Sequence, residues 1–416
     1  MCTSLYCSKM FSGNFISLKI FGIWSGKTPW KYYRYYSFAY LFVTFACYNL
    51  LLTLNLLYTP RQIELLLREV IFYFTEITVA TKILTILFMR DQLIETIKLI
   101  DCDEFVGDFE NKEGILYKAN MGYGLGYKIY AVTSNMAYAS QVVVPIFLNL
   151  IRGTKSDLPI CKYYFLSDEV RESYFLFWFI YQSVGMYGHM MYNVNIDSLI
   201  AGLLVIAIAQ MRLLNKNLTE FKLSEEESKL SIEIQDKIQM TRLNKFLRHY
   251  EVILTYCKTI QDILSVTLFF QLGVASMIIC VVMAGLLLPS SMETRIFLTM
   301  YLFNMTIQIF IPAILGTHLS YESLELGTAA YNSEWIPRSE SFKRSLVLFR
   351  ERTAIQIMVS GLKMFPLSLL TFTSVSIFLN IDGNTAVQQI KYYTILLQIM
   401  KTAYSFFTLI RNFQEE

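Results

Sequence analysis

Three histidines are the side chains best suited to proton or metal chemistry at neutral pH: His189, His249 and His318. They lie far apart on different segments, so no cluster of convergent metal ligands is signalled. The seven cysteines, Cys2, Cys7, Cys47, Cys102, Cys161, Cys257 and Cys280, form no CxxC pair. No GxSxG, HExxH or Walker A pattern occurs, and the glycine-rich GYGLGY at 122–127 follows no strand. The sequence therefore gives no support to an enzyme, a cofactor or a metal site. The informative ionisable groups are those inside apolar segments: Glu76, Lys82, Asp197, Lys363 and Lys401. Glu76 is expected either to pair within a bundle or to face a wet cavity. Lys82 is close enough to a segment end to snorkel, and His189 reads as packed among aromatics.

A second set of residues suits the binding of a small apolar molecule. The outer half of the second apolar segment reads VIFYF and supplies Tyr73 and Phe74, with Ile77 one turn on. The third supplies Met136 and Tyr138, beside Gln141. The fourth begins YFLFWFIYQSVGMY and supplies Phe177 and Tyr181; the sixth begins IFLTMYLFN and supplies Met300 and Asn304. Aromatics with Met and a few polar groups line pockets for neutral ligands. The competing reading is plain packing or an interfacial belt, which accounts well for Tyr163, Tyr164 and Tyr174. Pocket and packing stand level.

These residues need a frame. The chain of 416 residues is 54% hydrophobic, 15% aromatic and only 17% charged, with a net charge of +3. A soluble domain nearer 25% charged hides far less apolar surface, and so weak a charge gives no footprint for nucleic acid. The fold class is an all-α polytopic membrane protein of seven spans. The spans are expected at 37–57, 70–89, 129–151, 173–211, 263–288 and 296–315. Two last stretches, near 353–380 and 392–410, form a broken seventh. The fourth is too long for one crossing: at helical rise it reaches roughly 58 Å against a core of about 30 Å. Leu243, Phe246, Leu247, Tyr250, Leu254, Cys257 and Ile260 repeat at three and four and run into the fifth span. Long helices therefore extend into the cytoplasm. With the N-terminus inside, the inner segments hold 23 Lys and Arg and the outer ones 8, which favours that orientation. No signal peptide is evident at the N-terminus. The sequons at Asn217 and Asn304 fall inside and within a span, and should go unused.

The C-terminal third carries a recognisable signature. MVSGLKMFPLSLLTFT (358–373) and KTAYSFFTLIRNF (401–413) resemble the seventh-span blocks of insect odorant receptors. The first block is read from Gly361, Phe365, Pro366, Leu367, Ser368, Leu369 and Phe372. The second is read from Tyr404 through Arg411. The resemblance implies a tuning subunit of an odorant-gated cation channel, assembled with the odorant co-receptor, Orco, as a heterotetramer. It implies residence in the plasma membrane, on the dendrite of an olfactory sensory neuron. It also implies an odorant pocket among the outer halves of the spans within residues 1–352. Residues 353–416 would form an anchor half and a pore half. Tyr404, Thr408, Leu409 and Asn412 match the positions around the family's gate, where a Leu409 ring would close the pore by dewetting. One departure stands out. Residues 374–393 are extra, and Val375–Ser376 is compatible with the codons that open an intron. A gustatory receptor would end on a different motif. A G-protein-coupled receptor would need an outside N-terminus and DRY-like and NPxxY-like motifs, which are missing. No inverted repeat supports a transporter.

Overall fold

The computed structural model describes residues 9–25, 31–105, 113–152, 158–287 and 292–371. The pore residues Tyr404, Thr408, Leu409 and Asn412, together with Lys401 and the extra stretch 374–393, lie outside the described residues.

Helices form along the long apolar runs, even across the glycine-rich stretch 122–127. A short α1 (Ser12–Ile20) precedes the first span. That span is α2 (Tyr33–Leu41), a π turn (Phe42–Cys47) and α3 (Tyr48–Tyr58) in one line. Then follow α4 (Ile63–Phe88), α5 (Arg90–Ile100) and α6 (Ile115–Arg152). A single turn, α7 (Asp168–Ser173), leads into α8 (Phe175–Thr219), α9 (Ile232–Leu287), α10 (Met292–Tyr331) and α11 (Glu340–Thr353). Five of the described helical stretches are long and apolar enough to cross a membrane, and α6 is a further long helix at the expected third span.

The helix α8 is the centre of the bundle. It is apolar all round rather than striped, the pattern of a helix surrounded by others, and α4, α6, α9 and α10 all pack on it. Its 45 residues reach about 68 Å and the 56 of α9 about 84 Å, well beyond a bilayer core. The expected stripe on α9 is the reason it continues. Leu243, Tyr250, Cys257 and Ile260 are buried. They meet an aromatic cluster in which Phe221 stacks on Phe342 (5.9 Å between centroids) and Tyr250 meets Phe349 (5.2 Å). This is the end that the charge bias places in the cytoplasm.

Helix α10 contains Pro312. Proline cannot donate to the carbonyl four residues back. That carbonyl, Gln308 O, instead accepts from Gln271 Nε2 of α9 (3.4 Å).

The expected start of the seventh helix near 353 is corrected. Helix α11 ends at Thr353, and the chain then runs extended into a small hairpin, β1 (Ser360–Gly361) with β2 (Phe365–Pro366). Gly361 and Pro366 disfavour helix, and the residue before proline is pushed to extended backbone. Leu362 and Lys363 turn the hairpin with φ of 48° and 58°. Lys363 is therefore an exposed turn residue, not a charge within a helix. The segment is stitched to its neighbours: Gln261 Nε2 donates to Ser360 O (2.7 Å) and Ser360 N donates back to Gln261 Oε1 (2.6 Å). Leu369 N donates to Thr317 Oγ1 (2.8 Å).

Candidate functional site

The bundle's outer half, at the N-terminal end of α8, is closed by the segment joining α6 to α8. Leu158, Ile160, Cys161 and Tyr163 of that segment are buried, so it folds into the bundle rather than over it. A buried backbone must find partners, and two fully buried amides provide them. Gln182 Oε1 accepts from Ile160 N (3.0 Å) and Cys161 N (3.4 Å), while its Nε2 donates to Cys161 O (2.8 Å). Asn55 Oδ1 accepts from Tyr164 N (3.1 Å), and its Nδ2 donates to Glu69 (2.8 Å). Burial, more than any neighbour, pushes the Cys161 thiol up, so it stays neutral and unreactive. Gln182→Leu is expected to leave two N–H groups and a carbonyl unpaired. The cost is about 1–3 kcal/mol for each group that water cannot reach, read as a lower melting temperature in detergent. Gln182→Glu keeps the oxygen that accepts both N–H groups and, as the neutral acid that burial favours, can still donate to Cys161 O, so it should lose less.

Below the plug sits an ion pair. His189 Nδ1 contacts Glu76 Oε2, and Nε2 lies 2.7 Å from Thr44 O. Thr44 is in the π turn of the first span, where the ladder is loosened and its carbonyl is free to turn inward. Both ring nitrogens face oxygen, Nδ1 toward the Glu76 carboxyl and Nε2 toward the Thr44 carbonyl, so the ring bridges two helices. Tyr48 packs 4.6 Å from the His189 ring. Of the two readings of Glu76, pairing is what the structure shows, and His189 is both paired and aromatic-packed.

Deeper still, Lys82 is fully buried. It meets Asp197 Oδ1 at 2.5 Å and donates to Asn193 Oδ1 at 2.6 Å. Gln308 Nε2 reaches Asn193 (3.1 Å) and Asp197 (3.0 Å), and Tyr130 OH donates to Asp197 (3.3 Å). Lys82 therefore does not snorkel: Asp197, one helix away, supplies a nearer counter-charge than the membrane surface. Four helices are tied at this level, α4, α6, α8 and α10. A cleft of about 550 Å³ lies at the opposite end, between α8 and α9, with Asn217, Asn244, Lys245 and Arg248 in its lining. Its charge makes it a poor host for an apolar ligand.

Residues 62–378 match the family model described as 7tm Odorant receptor. The chain belongs to the odorant receptor family. It is 26% identical to Odorant receptor 67c of Drosophila melanogaster over 200 residues, which is 48% of each chain. It is 20% identical to Odorant receptor 46a, isoform A, of the same fly over 345 residues, 82% of this chain and 87% of that one. The alignment spans about half the length of the first relative and 33% of Odorant receptor 43b. The insect olfactory receptor OR5 from Machilis hrabei, solved in complex with eugenol, has the same fold. The TM-score is 0.73 over 96% of this chain and 100% of that chain, at 15% identity.

In this receptor the nine residues expected to line a pocket do not converge. Phe74 and Ile77 pack toward a cluster of α4, α9 and α10 that includes Ile71, Ile278 and Met305. Tyr73 OH lies 3.5 Å from Thr53 Oγ1. Tyr138 OH donates to Ser183 O (3.1 Å), and Tyr181 OH donates to Val43 O (3.0 Å). Met136, Phe177 and Met300 are 67%, 58% and 58% exposed, and Asn304 is exposed too. On α10, Tyr301 and Met305 pack inward, each one residue beyond the expected Met300 and Asn304. Tyr301 OH contacts Thr75 Oγ1, and its ring meets Phe72 at 6.3 Å. Tyr163, expected in an interfacial belt, is instead wholly buried. Gln182, Asn55, Asn193 and Gln308 were missed. Their one signal was being amides inside apolar runs, where a polar group must find a partner.

Proposed function

We propose that this odorant receptor is the tuning subunit of an odorant-gated cation channel. It binds a small neutral volatile in the outer half of the bundle and opens a pore with the odorant co-receptor, Orco, in a heterotetramer in the plasma membrane of an olfactory sensory neuron's dendrite. The observation that carries the reading is the family match across most of the chain. The outer half adds support: it is aromatic, and the Glu76 carboxyl is already partnered by His189, which favours an uncharged ligand over a free amine or acid. The ligand acts through its differential affinity for the open state. The eugenol complex of the Machilis receptor is a precedent for a small aromatic volatile in this fold. Residues 404–412 are the proposed pore wall, with Leu409 at the constriction.

The test is whole-cell current from cells expressing the chain with and without the co-receptor while neutral volatiles are applied. A fast cation current that needs both subunits and no G protein is expected. Odorant-evoked signals that vanish when G proteins are blocked would overturn it. If the receptor reaches the surface but is silent, deletion of 374–393 is expected to restore current, marking that stretch as a mis-spliced insertion.

A further inference from the structure

Tyr163 combines three features that ordinary packing does not require together. It is completely buried. Its backbone is left-handed, with φ of 51°, a conformation that costs a bulky residue free energy and persists only where the surroundings enforce it. Its hydroxyl makes no hydrogen bond of good geometry among the described residues, although the Gln182 amide lies beside it. The neighbouring amide that could accept from it, Gln182, already receives two backbone N–H groups through Oε1. Burial holds the Tyr163 phenol far above its ordinary pKa, so it remains a donor at any physiological pH.

A second donor lies beside it. The Trp178 ring stands edge-on to Tyr163, with centroids 5.3 Å apart, and Trp178 Nε1 is also buried without a partner. An indole N–H can only donate. Native structures pair nearly all such groups, so two unpaired donors in one aromatic cluster call for an acceptor from outside the chain. Both belong to elements that close the outer half: the pinned segment and the first turn of α8.

We infer that Tyr163 and Trp178 determine specificity by donating to the carbonyl oxygen of the odorant, so that the receptor takes ketones, aldehydes or esters in preference to hydrocarbons of the same shape. This rests on the channel reading above. A carbonyl oxygen accepts two hydrogen bonds and brings no donor of its own to satisfy. An alcohol adds a donor that needs an acceptor here, and a hydrocarbon leaves both protein donors unpaired. Sites built to hydrogen-bond a ligand reject the isostere that lacks the group more strongly than apolar pockets reject an extra methylene.

The experiment is current recording with the co-receptor present, using two carbon skeletons. One series is 2-heptanone, 2-heptanol and heptane; the other is acetophenone, 1-phenylethanol and ethylbenzene. The ketone is expected to be the most potent member of each series that activates. Tyr163→Phe and Trp178→Phe should each raise its half-maximal concentration about tenfold, with the response to the matching hydrocarbon unchanged. Surface expression and melting temperature of Tyr163→Phe should be equal to or higher than those of the parent, because the lost hydroxyl was unpaired. A purely structural tyrosine would instead lose stability. Equal shifts for ketone and hydrocarbon in both variants, or a hydrocarbon as the most potent member, would overturn the inference while leaving the channel reading intact. Silence toward every volatile, with both subunits at the surface and residues 374–393 deleted, would count against the channel reading and the inference with it.

Discussion

Replacing Lys82 with Met is expected to lower the stability of the receptor by about 3–5 kcal/mol, the range seen when one partner of a buried ion pair is removed. The cost arises from what is left behind. Lys82 is fully buried and the Asp197 side chain is only 10% exposed, so the carboxylate cannot recover its water. Gln308 and Tyr130 still donate to Asp197, which offsets part of the loss but neutralises no charge. The double variant Lys82→Met with Asp197→Leu should recover most of the stability, because it removes both charges and the desolvation they suffer. Thermal unfolding in detergent of the parent, both single variants and the double variant gives the coupling directly. Additive losses in the cycle would show that the pair contributes nothing beyond its separate members. The same cycle run on odorant-evoked current asks whether this four-helix knot also sets the resting balance between closed and open states.

Gly316→Ala is the second large effect. A Cβ at Gly316 would stand 2.0 Å from the backbone oxygen of Leu367 and 2.9 Å from its Cγ. The obstacle is backbone held by Leu369 N on Thr317 and by Leu367 N on Val359 O (2.7 Å), so no side chain can swing aside. Overpacking commonly costs about 1–3 kcal/mol and occasionally more, and a backbone obstacle belongs at the upper end. The matched control is Gly327→Ala on the same helix, where the nearest atom is Thr353 Oγ1 at 3.5 Å. There alanine should be neutral or slightly stabilising, since it favours helix over glycine by about 1 kcal/mol. Comparing surface expression and melting temperature of the two variants separates the contact from the loss of a glycine. Equal behaviour would mean that the 354–371 segment does not hold its close seat against α10.

Much of this architecture was legible from one chain. The helices, their spans and the continuation of α8 and α9 beyond the bilayer followed from apolar length and from the stripe through Leu243, Tyr250, Cys257 and Ile260. These are local properties: periodicity of 3.6 and rise per residue are set by backbone geometry alone. The family was legible too, because Gly361, Phe365 and Pro366 keep their order in the C-terminal block. That Lys82 and Asp197 lie within apolar runs was equally plain. That they meet was not, because their pairing spans 115 positions in sequence and depends on the rotation of α4 against α8. Rotation also decided which of the expected residues turn inward. A helix turns about 100° per residue, so reading α10 one position out exchanges the exposed Met300 for the inward Tyr301. In a membrane both faces of a helix are apolar, so composition cannot say which one faces protein. Only the packed bundle could place Tyr163 in its interior, strained and with an unpaired hydroxyl. In sequence it is one more tyrosine at a membrane edge; its role depends on Gln182 and Asn55 drawing a connecting segment out of water.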